Sequence, residues 1–429
     1  MLQNIQPLVA VGALGVVCLR GAFLRLTKAE GFSKVEWATV VCLAYWVANY
    51  FWSTGSLENF LSIDFIRHDG AMLVPYTAFL GLLGWALKPT TCRALWAFFL
   101  SALSVIAVIG AAVALHLPLT TPLARLGFVN YEDTLLGGTE MFTGWYEAHN
   151  TAGGVYALAC VLALALLQEP NLARAAKVFR WSVFVGCLGG LAISYSRGGY
   201  LGFVAGAVVV FPVKKLGQAF RAALLVVVPA ALVILMTSKV LDRIDTITDP
   251  YYGTNASRLQ VWGEALDDFA LSPTIGIGFG RFNDGFEHYK GVRHFAWVAT
   301  SGVIINDDSH AHNSYLHFMA EGGIIGLVLT MYVWWCAWAE LSAFQLKLRD
   351  SKLQWLVKGA KGCIVAACVQ ALTEHVLGRG SILLILGTLI GTALATARSE
   401  WRVIERAHPR LPEPARAPLP SRQPVAARF

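Results

Sequence analysis

Charge is what this chain has least of. Asp, Glu, Lys and Arg make up only 14% of its 429 residues, against roughly 25% in a soluble protein of this size. That balance excludes a single soluble core, and a mean hydropathy of +0.56 points the same way. A disulfide framework is absent too. Cys18, Cys42, Cys92, Cys160, Cys187, Cys336, Cys363 and Cys368 all lie in or beside apolar runs, without zinc-ligand spacing, and read as small core residues. No basic stretch or small-residue cleavage site marks a cleavable signal peptide. A nucleotide-binding fingerprint is missing as well. Gly276-Ile277-Gly278-Phe279-Gly280 follows Ser272-Pro273 rather than a strand and leads into no clear helix, so it reads as a turn. The net charge of +7 is no nucleic-acid footprint, because the basic residues collect in short loops and in the tail.

What is present is a series of apolar runs, each long enough to cross a bilayer. Spans are predicted near 5–26, 35–52, 70–87, 93–116, 150–168, 179–195, 199–213, 220–238, 313–339, 356–376 and 381–397. The fold class is therefore an all-α polytopic membrane protein with 11 spans, or 12 if a half-inserted helix hides within 117–149. Every second connection is basic: Arg25/Lys28/Lys34, Lys88/Arg93, Arg174/Lys177/Arg180, Lys214/Lys215/Arg221 and Lys347/Arg349/Lys352. The positive-inside rule puts these in the cytoplasm, with the N-terminus outside and the C-terminus inside. The division expected is transmembrane helices over 1–238, a large periplasmic loop over 239–312, further transmembrane helices over 313–397 and a tail over 398–429. That tail, with seven arginines and six prolines, is expected to be disordered. In the large loop acidic residues outnumber basic ones ten to six, and a helix is predicted over Ser257–Leu271, with Asn255 and Ser257 as cap candidates. A loop of that length in a helix bundle is expected to be functional.

The loop ends in His310-Ala311-His312-Asn313-Ser314-Tyr315, directly before about 20 apolar residues that form a span. Two imidazoles thus stand at the mouth of a membrane helix, where His312 is either a general base or a structural interfacial histidine. Because the helix is expected to begin near His312, His310 is expected to stay in the loop and do a different job. Asp307, Asp308, His310 and His312 fall within six residues, but their spacing matches no known zinc pattern; no metal is expected. Arg197, in Ser196-Arg197-Gly198, breaks the charge bias on the outer side. It is either a snorkelling helix-end residue or an anion clamp. Arg258, near the start of the loop helix, is either an exposed charge paired with Glu264 or Asp245, or an anion-binding group. Arg281, Lys290 and Arg293 are weaker candidates on the same loop.

These residues carry a resemblance. His312-Asn313, nine residues, Gly323, two residues and Gly326 follow the pattern of the bacterial O-antigen ligases. These belong to a wider group that includes O-antigen polymerases and some protein O-oligosaccharyltransferases. Two further landmarks stand in the family's order: Ser196-Arg197-Gly198 after a span, and Arg258, Trp262 and the turn Pro273–Gly278 in the loop. The resemblance covers 190 to 330 in motif detail. It implies transfer of a glycan from an undecaprenyl-pyrophosphate donor to a sugar hydroxyl of lipid A–core oligosaccharide, at the periplasmic face of the bacterial inner membrane and without a cofactor. It implies His312 as base and Arg197 and Arg258 as pyrophosphate ligands, with His310, Asn313 and Arg281 as secondary candidates. Gly322, Gly323 and Gly326 are expected to allow close packing or leave room for an isoprenyl chain. A polymerase with the same donor, and a lipid-linked glycan transporter whose arginines hold a phosphate in transit, remain open. Discontinuous helices in paired halves would favour a transporter, and no internal repeat is visible.

Overall fold

The computed structural model describes residues 32–53, 56–60, 72–114, 129–133, 140–146, 148–169, 173–211, 253–282, 310–348 and 351–407. Helices α1 (Lys34–Ser53), α2 (Leu57–Phe60), α3 (Leu73–Leu82) and α4 (Pro89–Ala114) are followed by strands β1 (Asn130–Asp133) and β2 (Glu140–Gly144). Then come α5 (His149–Leu167), α6 (Arg174–Ile193), α7 (Arg197–Val210), α8 (Gly253–Leu271), α9 (Ser314–Lys347), α10 (Gln354–Gln370) and α11 (Gly380–Ala407). Among the described residues α4, α5, α6, α9 and α11 are long and apolar enough to cross a bilayer, and α3 and α7 are shorter apolar helices. Phe98, Val108, Val185, Leu201, Val208, Val328 and Trp335 are exposed on these helices. An apolar outer surface of this kind suits a helix bundle bathed in lipid. The chain is an all-α multi-pass membrane protein, its one described sheet being the antiparallel pair β1–β2.

Helix α5 is the central post. Every residue from Thr151 to Leu166 is buried, as expected of a helix that is apolar all round, and α6, α7 and α10 pack about it. Helices α7 and α10 approach closely because α7 carries Gly198, Gly202 and Gly206 at four-residue spacing, on one face. A Cβ at Gly206 would stand 2.7 Å from the Gly362 carbonyl oxygen and 2.6 Å from Val161, and one at Gly202 would stand 2.7 Å from the Ala366 oxygen. The same contact row continues to Gly198 against Thr373. The glycine row therefore sets where the N-terminus of α7, with Arg197, meets the turn after α10.

Several boundaries differ from the sequence expectation. The spans expected at 5–26 and 220–238 lie outside the described residues. Within 117–149 the described part is the β1–β2 hairpin, not a helix; its Phe142 is buried against Gly110 and Tyr156. Helix α8 begins at Gly253, so Asn255 and Ser257 occupy its first turn instead of preceding it. Helix α11 runs on to Ala407, past the residue where a disordered tail was expected to start. Arg398 explains this: its Nε and Nη2 donate to the Glu340 carboxylate at 2.6 and 2.9 Å, and Nη2 also reaches Ser33 Oγ at 2.8 Å. A guanidinium shared between α9 and the start of α1 anchors that turn of α11. Helix α10, expected to run to 376, stops at Gln370, for a reason that lies in the site below. The seven cysteines among the described residues are free.

Gly206→Leu adds a branched side chain where even a Cβ has no space. Overpacking of this kind costs about 1–3 kcal/mol, so the purified variant is expected to unfold several degrees below the wild type in detergent. An unchanged unfolding temperature would show that α7 and α10 are not held by this crossing.

Candidate active site

The site is organised by a break in α9. Gly323 has φ 59° and ψ −165°, which splits the helix into an arm carrying Ser314–Gly322 and a longer shaft beyond. Only glycine adopts this conformation freely, and the backbone groups it releases are buried and need partners. The Pro273–Gly278 turn supplies them. Ile277 N–H donates to the Ala320 carbonyl at 2.9 Å and Gly278 N–H to that of Glu321 at 3.0 Å. In the other direction, Ile324 and Ile325 donate to Pro273 and Thr274. Gly276, at φ +74°, lies so close to Glu321 that no Cβ fits between them. The turn expected from these glycines is thus a splint, and it locks the end of α8 onto α9. Asn49 of α1 holds the splint from behind, donating to the Ile275 oxygen at 2.7 Å and accepting from Phe279 N–H at 2.6 Å. Gly322 and Gly326 pack on the Trp46 ring, which is the close packing that was one of the two roles expected for these glycines.

At the start of α9, Asn313 is the N-cap: its Oδ1 accepts from Tyr315 and Leu316 N–H at 2.9 and 3.1 Å. Its Nδ2 donates to the Leu372 carbonyl, so Asn313 positions the backbone. His312 therefore precedes the helix instead of opening it, and has φ 45°, an uncommon conformation for a side-chain-bearing residue. Its neighbours are sewn to the turn after α10. Ser314 N–H donates to the Ala371 oxygen, Ser314 Oγ donates to that of Glu374, and Leu377 N–H donates back to Ser314 Oγ. That stitching is why α10 stops at Gln370. The next residues must turn across the mouth of α9.

The turn brings in Glu374, which joins the two ends of the site. Its Oε1 accepts from Arg258 Nη2 at 2.5 Å and its Oε2 pairs with His312 Nδ1 at 3.1 Å. Among the described residues Glu374, not Glu264, is the partner of Arg258, and Asp245 lies outside the described residues. The Glu374 side chain is only 5% exposed, whereas those of His312 and Arg258 are 20% and 18% exposed. Burial pushes the carboxyl upward, but the hydrogen bond and charge of His312, then the charges of Arg258 and Arg379, outweigh it and hold the group below its ordinary 4.5. Glu374 is thus ionised at neutral pH and can only accept. His312 Nδ1 must carry a proton, so when the ring is neutral its lone pair is on Nε2. Arg379 fixes the second imidazole by the opposite logic. Its Nη2 lies 3.0 Å from His310 Nε2, and guanidinium only donates, so His310 accepts and is neutral. Burial, followed by the neighbouring His312, Arg379 and His317 charges, holds His310 well below the usual imidazole range. The two rings lie 4.5 Å apart between centroids yet answer to different partners.

Other candidates fall at different places. Arg197 opens α7, capped by Ser196 Oγ accepting from Gly199 N–H at 3.2 Å, and the adjoining Gly198 abuts Thr373, next to Glu374. Arg281 donates to the Ser53 carbonyl at 3.2 Å, at the end of α1. Asp307, Asp308, Lys290 and Arg293 lie outside the described residues. His310, His312 and Glu374 bring their ligand atoms within 4.8 Å of one another. As a metal site the set fits poorly, because Arg379 and Arg258 already claim a lone pair each on His310 Nε2 and Glu374 Oε1. Glu374, His375 and Arg379 were not singled out from sequence, although three ionisable residues between two apolar runs are the signal that marks function inside a membrane protein.

A split membrane helix, splinted by buried irregular backbone, with histidines at its mouth and arginines from neighbouring segments facing them, defines a polytopic membrane protein with a polar site. Residues 182–331 match the family model described as O-antigen ligase, which supports membership of this chain in the O-antigen ligase family. The match contains Arg197, Arg258, His310 and His312 and ends before Glu374. No curated protein matches the chain.

Because the folded Glu374 carboxyl is held below its ordinary value, its stabilising contribution is complete above that value and is lost as pH falls through the folded one. Thermal unfolding in detergent, followed from pH 7 to well below 4.5, is therefore expected to show a steeper acid decline in wild type than in Glu374→Gln. Parallel declines would mean that Glu374 contributes nothing to the acid sensitivity.

Proposed function

We propose that the chain is a ligase that transfers a glycan from undecaprenyl pyrophosphate to a sugar hydroxyl of lipid A–core oligosaccharide. The reaction takes place at the periplasmic face of the bacterial inner membrane, with residues 239–312 as the periplasmic loop. The family implies ligase or polymerase activity of the glycosyltransferase type. The observation that carries the finer reading is the protonation pattern imposed by Glu374, which leaves His312 Nε2 as a base on a partly exposed ring.

In this mechanism the acceptor hydroxyl gives its proton to His312 Nε2 while its oxygen forms a bond to C1 of the donor sugar. The C1–O bond to pyrophosphate breaks, and its electron pair stays on the phosphate oxygen. Glu374 is too enclosed to attack the sugar, so the transfer is a single displacement with inversion at C1. Proton removal by a positioned imidazole contributes about 10² to 10⁴ in rate. Charge growing on the leaving group is met by Arg258 and Arg197, whose planar forks grip two phosphate oxygens at once. Glu374 steadies the imidazolium that forms, and no metal takes part. His310, held by Arg379, orients the acceptor or the loop.

With purified protein, donor and acceptor, His312→Ala is expected to lose at least about 100-fold in transfer while still binding donor, and His310→Ala to lose less. Wild-type turnover is expected to survive EDTA. A folded His312→Ala protein that transfers at near wild-type rate would remove this residue from the mechanism. In a strain lacking the protein, full-length polymer left on its lipid carrier is the expected result. Single glycan repeats there would identify a polymerase instead.

A further inference from the structure

Glu374 is one carboxylate with two claimants. Arg258 of α8 holds Oε1 and His312 holds Oε2, and both claimants are partly exposed while Glu374 is enclosed. Beyond Nη2, the planar fork of Arg258 has no partner among the described residues. A pyrophosphate offers such a fork the same bidentate geometry as a carboxylate and more negative charge. A ligand anion that enters on the exposed side therefore competes with Glu374 for this guanidinium.

We propose that Arg258 is exchanged between Glu374 and the donor pyrophosphate, so that donor binding leaves the carboxylate acting undivided on His312 Nδ1 and readies the base. The idea rests on the reading of His312 as base and of the donor as a polyprenyl pyrophosphate. No covalent bond changes in the exchange. A guanidinium leaves one anion for another, and the His312 Nδ1–H stays on Glu374 Oε2. With Arg258 in place, part of the carboxylate charge is neutralised and His312 is the weaker base. With Arg258 on the donor, the same carboxylate supports the imidazolium more fully. The other charged and titratable groups facing His312 do not move in this scheme. His310 stays on Arg379, and His375 and His317 stay in contact, their ring centroids 4.0 Å apart. Glu374 is thus a positioning residue that also reports whether donor is bound, and it suppresses proton abstraction before a glycan is available.

The competition gives Glu374→Gln a signature that a merely structural residue cannot produce. The neutral amide holds Arg258 less tightly, so the donor no longer has to displace a carboxylate. Binding of glycan-free undecaprenyl pyrophosphate to the purified full-length variant is expected to tighten by about fivefold or more, the low end of ordinary site-to-site coupling. Transfer at saturating donor is expected to fall by about tenfold or more, since the base has lost its carboxylate. In wild type the acid limb of the rate profile at saturating donor should lie at higher pH than that of kcat/KM for donor, and the gap should shrink in Glu374→Gln. Glu374→Asp, with a shorter reach to both partners, should change binding and rate in the same directions by less, which covers the case in which the glutamine variant fails to fold. In an Arg258→Gln background, removing the carboxylate should no longer tighten binding. Equal or weaker donor binding in Glu374→Gln, or an undiminished pH gap, would overturn the exchange. If His312→Ala is inactive and Glu374→Gln binds donor as wild type does, the exchange alone fails. If His312→Ala still transfers, the base assignment fails first.

Discussion

At Gly323 the helical ladder of α9 is interrupted among buried residues, and the released carbonyls and amides are satisfied by one short turn, Pro273–Gly278. Unpaired backbone groups in such a place cost several kcal/mol each, so the break and the splint stand or fall together. The rest of the site depends on that pairing. It fixes the end of α8 against the first arm of α9, and with it the separation of Arg258 from His312. It also frees that arm to take a direction of its own, so that its cap, Asn313, and its first residue, Ser314, can be sewn to the turn beyond α10. Discontinuous helices with irregular backbone at their ends are a recurrent way of placing polar groups inside a membrane protein.

Electrostatics on this frame is economical. A lone buried carboxylate is costly, and a lone arginine or histidine at a helix mouth is little better. Here Glu374 is offset by two donors on separate oxygens, and each donor is thereby oriented. The same carboxylate sets the His312 tautomer, while Arg379 sets that of His310 from the other side. The two imidazoles are neighbours in sequence and in space, yet one is paired through Nδ1 to a carboxylate and the other through Nε2 to a guanidinium. Their difference comes from their partners, not from helix periodicity.

Much of this protein was legible in its sequence. The apolar runs announce the membrane class, because hydropathy over a span length is a local property that needs no partner to be read. His312, Arg197 and Arg258 stood out because polar groups beside apolar runs are expensive and therefore informative. Gly323 and the Pro273–Gly278 turn were visible as residues of special backbone type. That they belong to one another was not visible, since the hydrogen bonds joining them span 43 to 51 positions of chain. Arg398 was counted with a polar tail because the anions it needs, Glu340 and Glu36, lie on two other helices.

What the sequence by itself determined, then, is what short-range physics can carry: the membrane class, the apolar segments and the residue types able to do acid–base and anion chemistry. Only the tertiary structure decided that α9 divides at Gly323, that α10 ends at Gln370 and that Glu374 stands between Arg258 and His312. Each of these rests on a partner brought in from elsewhere in the chain. A proton's position on His312, on which its chemistry turns, follows from which group faces Nδ1, and that is set by how three separate segments pack.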